Sequence, residues 1–228
     1  MFNDIMSGKS SDYMHNKINL KITGGLLLII DFITGFFLTD SIISSSMNYN
    51  SESVHSLYYF TIQSNIMVFF WFIFISINLI SNKRLFNFAL KPNLTAILTT
   101  YILITGIIYW VVLVPVFYKP GGNNSWLLTP SNIWLHTLTP LTAVILLFLS
   151  KVTYSGTVPK RHLIFFLIYP IAYIIFGIFN ALKGIYLYPM FNPVMLGNWW
   201  YVAFCLGVIC IIFSILYLLM LRLYKTKN

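Results

Sequence analysis

Charge is scarce in this chain. Charged residues make up 8% of the 228, and Asp and Glu together number five. A soluble domain carries roughly a quarter charged residues. So few charges cannot cover a surface facing water, which excludes a soluble globular domain and leaves lipid as the solvent. Cysteine is nearly absent as well. Cys205 and Cys210 lie five positions apart on one expected helix, point in different directions and cannot bridge. They read as small packing residues. No Cys-x-x-Cys or other metal-ligand spacing occurs, so neither a metal nor a cofactor is expected. The roughly ten-residue alternation of outer-membrane barrel strands is missing too. The opening MFNDIMSGKSSDYMHNK is polar and has no apolar core before Lys17. A cleavable signal peptide is therefore not expected, and the first apolar span is read as a signal anchor.

Hydrophobic residues, by contrast, supply 58% of the chain. They gather in runs of about 20, the length of a membrane helix. Six spans are expected, at about 21–43, 57–80, 93–117, 132–150, 163–182 and 197–222. The fold class is all-α, a single polytopic membrane domain over 1–228, because no inter-span segment is long enough to fold alone. The net charge of +9 follows the spans. Lys9, Lys17 and Lys21 precede span one. Lys83, Arg84 and Lys91 lie between spans two and three, and Lys151, Lys160 and Arg161 between four and five. Arg222, Lys225 and Lys227 follow span six, whereas Lys119 and Lys183 are the basic residues of the other three loops. By the positive-inside rule both termini are cytoplasmic. The basic charge is then a topological signal that meets anionic headgroups, not a nucleic-acid site.

Two outer loops stand out. YKPGGNNSWLLTPS, 118–131, holds a Pro-Gly-Gly turn, an Asn-x-Ser sequon at Asn123, and Thr129, Ser131 and Asn132 as helix caps. KGIYLYPMFNPVML, 183–196, is too apolar for free solvent. It reads either as an aromatic belt at the interface or as a lid over a cavity.

Polar groups inside spans are costly and turn toward the bundle interior. Span two opens with FTIQSN, in which Thr61, Ser64 and Asn65 share one helical face and Gln63 is rotated toward the headgroups. Hydroxyls there can simply bond their own helix; three aligned polar residues point instead to interhelical contacts or a polar cavity. Span four carries the sole histidine within a span, His136, four residues before Pro140. That proline cannot donate to the His136 carbonyl, so a kink beside the histidine is expected. Thr61 and His136 each lie about four residues inside the outer boundary, roughly 6 Å deep at the helical rise. At equal depth a hydroxyl and an imidazole can meet as nucleophile and base. A third group to hold the imidazole would come from Asp31, Asp40 or Asn180, and these alternatives stay open. Asp31 can equally be a structural buried acid.

At these residues the chain resembles a family, the six-pass androgen-induced and androgen-dependent TFPI-regulating proteins with their bacterial six-pass relatives. The segments that carry the likeness are FTIQSN at 60–65, WLHTLTP at 134–140, YPIAY at 169–173 and KGIYLYPMFNP at 183–193. The resemblance implies an intramembrane threonine hydrolase of lipid esters, such as fatty acid esters of hydroxy fatty acids. It places the nucleophile on Thr61 and the base on His136; Ser64 and Asn65, on the polar face of span two, are supporting candidates. It also implies a bacterial plasma membrane, with membrane lipids and a lipid-ester substrate as partners and self-association left open. One departure concerns span four, where 144–148 reads VILLF in place of an acidic-tryptophan pair. The competing expectation is a non-catalytic transporter or binding protein for lipids or small molecules, which could use the same polar stripe and prolines.

Overall fold

A computed structural model describes residues 2–47, 56–81, 87–118, 127–153 and 162–224. The Pro-Gly-Gly turn, the sequon, Lys83, Arg84, Lys160 and Arg161 lie outside the described residues. Among the described residues every regular element is helical. Helix α1 is Phe2–Met47 and α2 is Phe60–Ser81. Helix α3 runs from Pro92 through Ile108, widens into a π turn at Tyr109–Leu113, and ends with Val114–Phe117. Helix α4 begins at Pro130–Ile133, passes a π turn at Trp134–Leu138 and continues as Thr139–Thr153. Helix α5 is His162–Leu182 and α6 is Trp199–Tyr224. Five of these are long and apolar enough to cross a membrane; in α5 the apolar helix Phe166–Leu182 is shorter. The outward faces are greasy, with Phe32 79% and Trp200 84% exposed. That pattern suits hydrocarbon, and an aqueous surface would leave it uncompensated.

Small residues bring the helices together. On α1 the residues Gly24, Leu27, Asp31, Thr34 and Leu38 form one buried stripe at alternating spacings of three and four. A Cβ at Gly24 would stand 2.8 Å from the Leu79 Cβ, and one at Gly35 would stand 2.9 Å from the Phe69 ring. Helices α1 and α2 therefore run antiparallel in close contact, as small residues permit in membranes. Helix α3 is the buried pillar, packed on α2, α4 and α6. Its Thr95, Ala96, Thr99, Thr100, Thr105 and Gly106 are all buried. Thr99 donates to the Ala143 carbonyl of α4 at 3.3 Å.

The prolines matter to this packing. Pro170 lacks the N–H that would bond the Phe166 carbonyl. The Tyr101 hydroxyl of α3 donates to that carbonyl instead, at 2.6 Å. Helix α5 then ends in a Schellman arrangement. Gly184, at φ +80°, donates to the Ala181 carbonyl and Ile185 to that of Asn180. This turns the chain into the loop 183–196. There a short turn, Pro189–Phe191, drives Phe191 against Gly177 of α5, where any Cβ would fall on the ring. Leu187, Tyr188 and Phe191 are buried, so the loop is seated on the bundle.

Candidate functional site

The site forms where α2 and α4 begin. The first N–H groups of a helix have no partner within it. In α2 two tyrosines distant in sequence supply them. The Phe60 N–H donates to the Tyr173 hydroxyl at 3.0 Å, and that hydroxyl donates to the Tyr58 carbonyl at 2.8 Å. The Thr61 N–H donates to the Tyr188 hydroxyl at 3.3 Å. Tyr188 in turn donates to the Thr61 Oγ1 at 3.4 Å, a long and weak bond. Burial pushes the Tyr188 phenol up to about 12, so it stays a neutral donor.

The polar cluster sorts into parts. Ser64 Oγ donates to the Thr61 carbonyl at 3.1 Å and pairs with Thr105 Oγ1 of α3 at 2.8 Å. Asn65 Nδ2 donates to the same carbonyl at 2.8 Å. Both are fully buried and act as glue between turns and helices. Gln63 is half-buried and turned off the Thr61 face. Its amide donates to the Leu57 carbonyl at 2.8 Å and accepts from the Tyr169 hydroxyl at 2.7 Å. The Thr61 hydroxyl differs from its neighbours, because it makes no bond back to its own helix.

Helix α4 starts on Thr129, whose hydroxyl accepts from the Asn132 N–H at 3.3 Å. The expected kink at Pro140 takes a specific form. The π turn Trp134–Leu138 absorbs one extra residue, and the Thr139 N–H bonds the Trp134 carbonyl. The carbonyl that Pro140 leaves free, on His136, sits against Gly106 of α3, where a Cβ would stand 2.8 Å from it. The turn is pinned on both sides. Trp134 Nε1 donates to Thr34 Oγ1 of α1 at 3.0 Å, and Trp110 Nε1 of α3 donates to Thr137 Oγ1 at 2.9 Å.

His136 is thereby held in place. Its ring stacks on Tyr109, with centroids 4.0 Å apart and planes at 22°. Its Nδ1 lies 2.8 Å from the Asn132 main-chain carbonyl. A carbonyl only accepts, so Nδ1 carries the proton and Nε2 keeps its lone pair. Thr61 and His136 line the same cavity, of ≈ 520 Å³, with Tyr109, Asn132, Tyr188 and Asn192. No hydrogen bond joins the two; the cavity lies between them.

The three candidates for a supporting acid or amide sit elsewhere. Asp40 is exposed on α1. Asn180 is buried, but its side chain donates to the Phe176 carbonyl at 2.8 Å and its main chain ends α5. Asp31 is buried in the α1 stripe, and neither carboxylate oxygen has a hydrogen-bond partner. None of the three lines the cavity. The Asn132 carbonyl takes the orienting role that they were candidates for. Tyr188, Tyr173 and Tyr109 were not singled out as site residues. For Tyr173 and Tyr188 the signal is the density of tyrosine in YPIAY and KGIYLYP; Tyr109 lies in neither segment.

The fold and site define a class: a multi-pass helical membrane protein with a hydroxyl and an oriented imidazole on one cavity. No protein-family model, curated protein or solved structure matches the chain.

Proposed function

We propose that this chain is an intramembrane hydrolase of lipid esters, with Thr61 as nucleophile and His136 as general base. The frame is six spans with both termini cytoplasmic, which places the α2 and α4 starts and the loop 183–196 near the outer leaflet. One observation carries the reading: Thr61 shares a ≈ 520 Å³ cavity with an imidazole whose Nδ1 is already committed to the Asn132 carbonyl. Nε2 is left as the base. An ester carbonyl in the cavity is attacked by Thr61 Oγ1 as Nε2 takes the hydroxyl proton. The imidazolium returns that proton to the departing alcohol, and water releases the acyl group by the same steps in reverse order. Catalytic hydrogen bonds commonly tighten only with substrate in place.

The test is fluorophosphonate labelling of the purified protein. Wild type is expected to label on Thr61, Thr61→Ala not at all, and His136→Ala slower by about a hundredfold or more. Unchanged labelling in both variants rejects the assignment. A second reading is a non-catalytic lipid carrier or binding protein. It draws on the Thr61 hydroxyl contacting Tyr188 and not the imidazole. Lipid flux in proteoliposomes that survives Thr61→Ala favours that reading.

A further inference from the structure

Thr61 forms part of two walls. On one side is the cavity with His136 and Asn132. On the other is a small apolar pocket of ≈ 50 Å³, bounded by Ile104, Ile108, Met190 and Ile209 among others. The same four residues also bound a third space, a groove of ≈ 270 Å³ between α3 and α6. That groove is apolar throughout, and its outer lips are open to the surroundings: Val111 is 67% and Phe204 68% exposed. In a membrane those surroundings are hydrocarbon. Ile104, Ile108, Met190 and Ile209 thus form the partition between the two spaces, and a shift of their side chains would join the bilayer, between α3 and α6, to the face of Thr61 remote from the imidazole.

We propose that the α3/α6 groove holds the acyl chain of a long-chain ester, while the alcohol half occupies the polar cavity. The partition follows from solvation. A fatty chain loses nothing on moving from lipid into an apolar groove, whereas a polar alcohol gains hydrogen-bonding partners on the His136 side. Thr61 stands at the boundary between the two, where the ester carbonyl of such a molecule must lie. Met190, in the partition between the groove and the Thr61 pocket, has the flexibility to move aside for an unbranched chain. This assignment rests on the hydrolase reading for its chemistry, but the groove itself can be tested without turnover.

The experiment is photo-crosslinking with palmitic acid bearing a diazirine near its end, on the full chain in detergent and in lipid nanodiscs, followed by peptide mapping. Adducts are expected on α3 and α6 around Val111 and Phe204, in wild type and in Thr61→Ala alike, and excess palmitate should compete them away. Val208→Trp and Val112→Trp, one from each wall, should each cut the adducts. They should also lower the rate ratio of palmitoyl to butyryl ester by about tenfold or more. Ile215→Trp, outward-facing on α6 and outside the groove, is the control. Adducts spread equally over Phe32 and Phe36 of α1, adducts joining two copies of the chain, or Trp variants that change nothing overturn the assignment. Groove adducts without fluorophosphonate labelling leave the groove standing and reject the hydrolase. Labelling without groove adducts does the opposite.

Discussion

Gly106→Ala tests the contact that positions the imidazole. A Cβ there would stand 2.8 Å from the His136 carbonyl oxygen and 3.3 Å from Pro140 Cγ. The first is backbone and cannot rotate away. Alanine favours a helix over glycine by about 1 kcal/mol, and overpacking costs about 1–3 kcal/mol. The net change should be a loss of up to about 2 kcal/mol. Gly25 and Gly207 have nothing within 4 Å of an added Cβ, so their alanine variants should be neutral or gain up to about 1 kcal/mol. Thermal unfolding in detergent, followed by tryptophan fluorescence, compares the three. The functional effect should exceed the stability effect. Relief of the clash moves the His136 turn by a few tenths of an ångström or more. Misplacement of a catalytic group by about 1 Å can cost about a hundredfold, so labelling should slow by about ten- to a hundredfold. Pro140→Ala restores an N–H for the His136 carbonyl and removes the second contact. The double variant should therefore recover part of the loss, a coupling that a double-mutant cycle reads directly. A Gly106→Ala protein as stable as the Gly25 and Gly207 controls, and labelled at the wild-type rate, would refute the claim that α3 presses on the histidine turn.

Two further outcomes follow from the same geometry. Tyr188→Phe keeps the ring but removes the hydroxyl that accepts from the Thr61 N–H, leaving a donor unanswered at the start of α2; chemical denaturation should show a loss of about 1–3 kcal/mol. Since the folded phenol is raised from 10.0 to about 12, the stability difference between wild type and Tyr188→Phe should be level below pH 10 and narrow as pH rises through 12. Asp31→Leu replaces a buried carboxyl whose oxygens have no partner, so its unfolding midpoint should rise or hold; a clear fall would show that the carboxyl serves a partner.

Hydropathy reports depth along the membrane normal. Residue counts therefore lead to an expectation of equal depth for Thr61 and His136, and the two do line one cavity. Depth says nothing of rotation about each helix or of which helices are neighbours. Asp31 by its chemistry and Asp40 and Asn180 by their depth are all open as holders of the imidazole, yet a main-chain carbonyl one turn away takes that place. The tyrosine caps of α2 lie 113 and 127 residues downstream of the N–H groups they satisfy, beyond any local pattern. The prolines fall between these cases. Each announces in the sequence that a carbonyl four residues earlier has lost its donor, but not what will face it. In the fold α3 faces both. Tyr101 bonds the carbonyl opposite Pro170, and Gly106 makes room for the one opposite Pro140. One buried helix thus sets the shape of α4 and α5 together. Substitutions on α3 at Tyr101 or Gly106, neither of which lines the ≈ 520 Å³ cavity, should therefore disturb the chemistry as surely as substitutions in its walls.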